Sequence, residues 1–416
     1  MWDNHALPRA WTPGALREMS NGFQSSRVLL TAVELRIFSL IGSETLTSAD
    51  VAERAGTDAH ATDRLLNALS AVHLLVKRNG HFRNTPEGLR YLVDSSPEYA
   101  AGLRHSASMW HAWSGLTDRV RHGQQPSRGA VNDRGDEWLE PFIAAMHYRA
   151  RLQADPVAAL LPLTESSRVL DVGGGSGAFA MAMARRTHGL RAVVFDLPNV
   201  VPLTQRYIAD AGLGDFVTTA VGDYLTDPLP GGFDLVFMSA VVHSNHAEQN
   251  ARLMAKCVGA LNPGGSVAVV DWVMDADRVK PEAGALFAIN MLVGTDHGDT
   301  FTEDEIRAWL VDSGLEQIHR RATPFGTDVV IGTRVAVPIG GTLHFCTQCG
   351  QQVDPYEPSP VEPGNPAGDR TYFCRPCGQE WPAPSMYATG QPCGNCGMLV
   401  PTGARFCAAC GHQTWA

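Results

Sequence analysis

The sequence predicts an α/β protein: a parallel sheet with helices on both faces, a helical region before it, and a metal-held tail after it. Three observations carry this. Between about residues 101 and 340, short apolar runs alternate with helix-length segments, the rhythm of successive βαβ units. The first of these runs ends in a glycine-rich turn, Asp171-Val-Gly-Gly-Gly-Ser-Gly177. The last 76 residues, 341–416, hold eight cysteines in four Cys-x-x-Cys-Gly units, a spacing that suits thiolate metal ligands better than disulfides.

Bulk properties narrow the classes further. A chain of 416 residues exceeds one ordinary core, and three regions are expected: 1–100, 101–340 and 341–416. No stretch approaches the roughly 18 uncharged apolar residues of a membrane span. The start, Met1-Trp2-Asp3-Asn4-His5, has neither a basic n-region nor an apolar h-region. With the cysteine pattern, this makes a reducing cytoplasm the expected location, with no membrane partner. Lys and Arg total 33 against 43 Asp and Glu, a balance that repels phosphate backbones.

The first region reads as helical with one small β element. Residues 25–40 carry Val28, Leu29, Val33, Leu35 and Phe38 near helical spacing. Thr47 to Asp50 forms an N-cap signal for a helix that stops at Gly56, and Asp58 opens a longer one. Residues 76–85 turn at Asn79-Gly80, as a hairpin would. Helix, turn, helix and hairpin make a winged-helix pattern. Its second helix, 58–75, offers Arg64 against Asp58 and Asp63, too little to bind DNA, so a dimer-forming or interaction role is expected.

Helices follow at 98–121 and 136–160. Strands are expected at 168–172, 192–196, 216–221, 233–238 and 266–272, and Asn262-Pro-Gly-Gly265 ends a helix and launches the last of these. An antiparallel edge hairpin, 317–323 with 328–335 around Pro324-Phe325-Gly326, closes the sheet.

The glycine turn differs from the G-x-G-x-x-G dinucleotide fingerprint, since its last two glycines are only two apart. The physics is related: glycines let backbone approach a ligand, and the new helix offers its N-terminal amides. Asp196 ends the next strand, where a carboxylate can accept from ribose hydroxyls. Asp223 follows the third strand, within reach of an adenine amino group. Together these suit a nucleoside without a pyrophosphate; an NAD-binding domain is the alternative.

The segments LDVGGGSGAFA and VVFDLPNVV resemble the plant-type small-molecule O-methyltransferases, a family that includes caffeic-acid and hydroxyindole enzymes and bacterial relatives. The resemblance spans about 20–338, including the helical stretch NGFQSSRVLLTAVELRIFSLIG. It implies a seven-stranded sheet, a homodimer through the N-terminal region, S-adenosylmethionine (SAM) as cofactor and a small-molecule acceptor. By resemblance, Asp171, Gly173, Gly175 and Gly177 cradle the methionine part, and Asp196 holds the ribose. Asp223 and Tyr224 frame the adenine, and Leu197 and Ser239 belong to the same set.

Methyl transfer from a sulfonium is an in-line displacement, and positioning contributes about 7–11 kcal/mol in the best intramolecular models. A phenol of pKa about 10 benefits from a base near pKa 6.5, which histidine supplies. Ser239-Ala-Val-Val-His243-Ser-Asn-His246 follows the fourth strand. By resemblance His243 is that base, although the family's following Asp-Trp is replaced by Ser244-Asn245. His246 reads as a loop or helix-start residue. Asp271 stands where the family carries a Glu orienting the base, and Thr300 stands at its second Glu. The latter departure leaves open C- or N-methylation, or a SAM-binding enzyme of altered, non-methylating chemistry.

Trp110, Trp113, Phe142, Met146, Met291 and Thr295 are the expected acceptor lining, the last three by resemblance; plain core is the alternative. An apolar, aromatic pocket suits a flat phenolic or polyketide-like molecule.

In the tail, the pairs Cys346/Cys349, Cys374/Cys377, Cys393/Cys396 and Cys407/Cys410 read as two closed four-thiolate zinc sites in a double zinc ribbon. Iron or redox dithiols are alternatives, and sequential and nested pairing both fit. Burial cannot hold so small and Pro/Gly-rich a segment, and metal binding can. With three Arg, no Lys and five acidic residues, the tail suits a protein partner better than nucleic acid. Cys257, within RLMAKCVGAL, reads as a buried small apolar side chain. The rival from another class is a scaffold that uses the ribbons and helical region as binding surfaces.

Overall fold

In the computed structural model, residues 11–123 and 135–334 are described, together with short stretches of the tail: 344–345, 352–353, 371–373, 380–382, 391–392, 399–400, 405–407 and 412–413. The chain divides into two units, Met1–Val335 and Ala336–Ala416.

The first unit opens with helices α1 (Pro13–Asn21), α2 (Phe23–Glu34) and α3 (Ile37–Ile41). The single helix expected over 25–40 is therefore two. Arg36 adopts a left-handed φ of 54° between them, and its guanidinium is held by Asp94 Oδ2 at 2.6 and 3.0 Å. The break turns Ile37, Phe38 and Ile41 into a core with Leu66, Leu69, Leu75 and Phe82 and leaves Leu35 exposed.

Strand β1 (Leu46–Thr47) leads into α4 (Ser48–Ala55) and α5 (Ala59–Ala71). Thr47 and Asp50 form a reciprocal capping box, Gly56 ends α4 with φ 65°, and Asp58 caps α5 through the Ala61 amide. Strands β2 (Leu75–Arg78) and β3 (His81–Asn84) form the hairpin, in a small sheet of order β1-β3-β2. Buried Asn84 ties this sheet to α3 by donating to the carbonyls of Phe38 and Gly42, each at 2.8 Å.

Helix α6 (Pro86–Tyr91) ends this region, and α7 (Gly102–Ser114), α8 (Leu116–His122) and the long α9 (Asp136–Ala158) bridge to the sheet. The stretch expected as one helix over 98–121 divides at Gly115 into α7 and α8.

The sheet contains β4 (Arg168–Val172), β5 (Arg191–Asp196), β6 (Val217–Val221), β7 (Phe233–Ser239), β8 (Leu261–Asp271), β11 (Glu316–Ala322) and β12 (Asp328–Thr333). Between them run α10 (Ala178–Arg186), α11 (Val201–Asp210), α12 (Ala247–Ala260), the pair β9 (Val273–Met274) and β10 (Phe301–Thr302), α13 (Glu282–Gly294) and α14 (Glu303–Asp312). The order is β11-β12-β8-β7-β4-β5-β6. β6 to β8 run parallel, and β12 is antiparallel to both β8 and β11. β8 begins five residues earlier than the expected start at 266: Leu261 already pairs with Phe233, and the register then jumps to Leu235 opposite Ser266. The Asn-Pro-Gly-Gly segment is absorbed as a bulge, with Gly264 at φ 81°.

Apolar clusters cover both faces of the sheet, as the near-continuous apolar strands require. Cys257 is fully buried in one of them, and burial pushes its thiol pKa up. Asp171, Asp196, Ser239 and Asp271 all fall at or near C-terminal strand ends, the edge where open α/β sheets bind ligands.

In the second unit, short antiparallel pairs bracket the cysteine motifs in sequence. His344–Phe345 pairs with Gln352–Val353, Thr371–Phe373 with Glu380–Pro382, and Gln391–Pro392 with Leu399–Val400. Phe406 bridges to Gln413 around the fourth motif. Of the eight tail cysteines, Cys407 is described and buried; the other seven, Cys346, Cys349, Cys374, Cys377, Cys393, Cys396 and Cys410, lie outside the described residues. Among the described residues there is no cluster of metal-ligating side chains, and no helix is long and apolar enough to cross a membrane.

Replacing Asn84 with alanine removes the donor to the part-buried Gly42 carbonyl, and leaving a buried polar group unsatisfied costs up to about 1–3 kcal/mol. Urea unfolding of the Asn84→Ala variant is expected to show a lower midpoint; an unchanged midpoint contradicts this account.

Candidate active site

The loop after β4 is shaped by what its glycines avoid. Gly173, Gly175 and Gly177 take φ of 64°, 57° and 73°, values that L-side chains resist. Gly174 is fixed by space: a Cβ there would lie 2.6 Å from Asp171 Cγ and 2.8 Å from Val194. A Cβ on Gly175 would meet no protein atom within 4 Å, so this face of the loop opens onto free space.

Two buried carboxylates lie under the loop. Asp196 accepts from the Gly175 amide at 2.7 Å and from its neighbour Leu197 at 2.8 Å. Burial raises its pKa to about 6 despite those bonds. Asp171 is almost fully buried with Oδ2 lacking a hydrogen-bond partner. Burial, then the charge of Asp196, raises its pKa to about 7. Two acids held against an open glycine loop suit a cationic ligand with hydroxyl donors.

The loop is held from outside by side chains that sequence reading did not single out. Thr204 of α11 donates to the Gly175 carbonyl at 2.5 Å. His147 of α9 bonds Ser176 at 2.9 Å and stacks on Tyr207 at 4.1 Å. Asp223 caps its own turn through the Leu225 amide. Tyr224 packs beside Gly173 and donates to Asn245 at 3.3 Å; burial raises its pKa. Ser239 is the last residue of β7, and Ala240 after it turns the chain with a φ of 59°.

That turn delivers His243, in a short 3₁₀ segment, to Asp271 at the end of β8. Nδ1 of His243 lies 2.9 Å from both Asp271 oxygens, with side-chain exposures of 11% and 4%. Asp271 also accepts from the Trp272 amide. Phe287 of α13 meets the imidazole edge-on at 4.8 Å. Asn250, completely buried, donates to the Val242 carbonyl at 2.9 Å and accepts from Asn245 at 3.0 Å. This amide pair braces the turn. Asn245 thus has a structural role of its own. Thr300 is buried and its carbonyl accepts from Arg278. His246 is the N-cap of α12, bonded to Glu248 and boxed with Gln249.

The expected lining residues do not all converge. Trp113 donates to Asn290 of α13 at 3.0 Å, and Met291 lies one residue further along that helix. Thr295 caps α13 internally, accepting from Gly298, whose position is pressed against the His243 carbonyl. Phe142 stacks on Trp138 at 4.7 Å and Met146 follows one turn along α9. Trp110 faces α2 instead: its ring lies 6.3 Å from Phe23 and under Arg27. Sequence reading missed Phe287 and Trp272 because an apolar helix and a strand-end aromatic look like ordinary core.

Residues 113–316 match the O-methyltransferase domain and residues 17–94 the O-methyltransferase dimerisation domain. A 3-hydroxy-5-methyl-1-naphthoate 3-O-methyltransferase of Streptomyces sahachiroi is 32% identical over 335 residues, covering 79% of this chain and 97% of that one. The chain belongs to the O-methyltransferase family. A tetracenomycin polyketide synthesis 8-O-methyl transferase of Streptomyces glaucescens is also 32% identical, over 77% of this chain and 97% of its own. The crystal structure of human N-acetylserotonin methyltransferase in complex with SAM superposes with a TM-score of 0.68 at 26% identity, covering 79% of this chain and all of that one. The enzyme is a SAM-dependent O-methyltransferase with a dimerisation domain, and the glycine loop with its two acids fits that cofactor. The matched domains end at residue 316, before the cysteine-rich tail.

The raised pKa values give SAM binding a pH dependence. A sulfonium and ribose hydroxyls favour ionised carboxylates, so binding near pH 6 to 7 releases protons. SAM affinity is expected to fall as pH drops through about 6. Calorimetry in buffers of different ionisation enthalpy should register the released protons, and a flat profile contradicts the assignment.

Proposed function

We propose that the enzyme methylates a hydroxyl of an aromatic or polyketide-like small molecule, with His243 as general base and Asp271 as its positioning partner. The contact of Nδ1 with both Asp271 oxygens carries this reading. The two Streptomyces relatives, named for a naphthoate and a polyketide, support the acceptor class.

SAM supplies an activated methyl group on a sulfonium, itself a good leaving group. The chain's task is to align the acceptor oxygen and take its proton. Donation of Nδ1–H to Asp271 fixes the tautomer and leaves the Nε2 lone pair to receive that proton. Asp271 stabilises the imidazolium that results. Phe287 holds the ring plane from the side, and Asn245 and Asn250 hold its turn. A shorter Asp in place of Glu serves here because its strand end lies directly beside the imidazole. Asp171, Gly173, Gly175, Gly177, Asp196, Leu197, Asp223, Tyr224 and Ser239 form the cofactor cradle in this reading. Trp113, Phe142, Met146, Met291 and Thr295 border the acceptor cleft.

The same proposal makes the chain a homodimer through its N-terminal region, where Leu16, Met19 and Phe23 expose apolar surface. Its organisation is 1–100 for dimerisation, 101–340 for methyl transfer, and 341–416 as a double zinc ribbon that docks a protein. Bracketing of the first three Cys-x-x-Cys units by paired strands and of the fourth by a single bridge, and the burial of Cys407, support the ribbons. Thiolate-held zinc fits a reducing cytoplasm.

His243→Ala is expected to lower turnover of labelled SAM with a responsive phenol by about 10²–10⁴-fold, the usual worth of a positioned base. SAM affinity should be retained, and Asp271→Asn should show a smaller loss. Undiminished turnover in His243→Ala removes the base assignment. Metal analysis of the full chain is expected to give about two zinc ions per chain; iron, or no metal, contradicts the ribbon reading.

A further inference from the structure

Arg149 is one of several arginines near the sheet that lie over an aromatic ring without an ion pair among the described residues, as Arg168 does over Phe233 and Arg191 over Phe216, but of these three it is Arg149 whose ring contacts lead to His243. It lies on α9, seven residues beyond Phe142 and three beyond Met146, so the three share one helical stripe. Its guanidinium sits 5.9 Å from the centre of the Trp272 ring. Trp272 lies 6.2 Å from Phe287, and Phe287 meets His243 at 4.8 Å. An aromatic path therefore connects Arg149 to the base.

Among the described residues Arg149 has no ion pair and no hydrogen bond, in contrast to Arg36, Arg54, Arg90, Arg206, Arg278, Arg307 and Arg320, each paired to an acid. Asp271 is close enough to favour the charged form electrostatically. Its oxygens, however, are engaged by His243 and Trp272. Arg149 is exposed to solvent, so the five donors of its guanidinium, free of protein acceptors among the described residues, are accessible to a ligand. Stacking on indole accounts for its position, since cation–π contact is favourable, and leaves its N–H edge unused.

We propose that Arg149 anchors a carboxylate carried by the aromatic acceptor and thereby selects which ring hydroxyl reaches His243. The proposal rests on the reading that this cleft takes the acceptor. A planar guanidinium matches a carboxylate with two parallel hydrogen bonds, and a fixed anchor on one edge of a flat ring sets the direction of the opposite edge. A neutral phenol could occupy the same aromatic walls but would leave the cation unpaired.

The test pairs hydroxybenzoic and hydroxynaphthoic acids with their methyl esters, which keep the ring and hydroxyl but lose the charge. Binding is measured by calorimetry on the full zinc-loaded chain with S-adenosylhomocysteine present, so no turnover is needed. At least one acid is expected to bind about 10- to 100-fold tighter than its ester, the range of a charge-assisted hydrogen bond. That preference should collapse towards unity in Arg149→Gln and return in part in Arg149→Lys. It should persist in His243→Ala, which separates this proposal from the base assignment. If no acid outbinds its ester, or if the preference survives in a folded Arg149→Gln, the proposal is overturned. Circular dichroism and SAM affinity establish that each variant is folded.

Discussion

The bond between His243 and Asp271 organises the C-terminal edge of the sheet, where the proposed base sits, and it exists because β7 and β8 are neighbouring parallel strands. Ser239 pairs with Val270, so the chain leaves β7 beside the last residue of β8. One left-handed residue, Ala240, and a single 3₁₀ turn then bring the imidazole back over Asp271. A shift of one residue in that register would turn Asp271 to the other face of the sheet. The bulge at the start of β8 absorbs the extra Asn-Pro-Gly-Gly residues well before this point, so the strand reaches its end in step with its neighbour.

At the other half of the site the protein tolerates an electrostatic penalty. Asp171 and Asp196 are both buried, both with raised pKa, and one repels the other. Burying two acids near each other opposes ionisation and is unfavourable for the empty site. Occupation by a cation relieves it. The glycine loop makes this workable by bringing backbone amides to Asp196 and by leaving the Gly175 face clear. The two halves of the proposed site are joined by one helix, since α9 carries Met146 and Arg149, proposed to face the acceptor, and His147 against Ser176 of the glycine loop.

Much of the architecture was legible because local signals and tertiary packing agree. Thr47, Asp58 and Gly56 act where their side chains and φ preferences place them, and the five central strands follow their apolar runs. Reading failed where a distant partner intervened. The break at Arg36 depends on Asp94, 58 residues away, which no helical periodicity reports. Trp110 and Trp113 lie three apart on one helix, yet they engage α2 and α13 respectively. The roles of Asn245 and Asn250 were hidden because a buried amide pair has no spacing rule.

What the sequence determined by itself were the features written in short-range chemistry: the glycine turn, the acids closing successive strands, the caps, and the cysteine spacing. Each depends on backbone freedom or on side chains within a few residues, and such terms survive without knowledge of the fold. Tertiary structure alone decided which groups meet. The pairing of His243 with Asp271, the edge contact of Phe287 and the placing of Arg149 over Trp272 arise between segments far apart in the chain. Strand register and helix packing fix those distances, and neither is a property of any local stretch of residues.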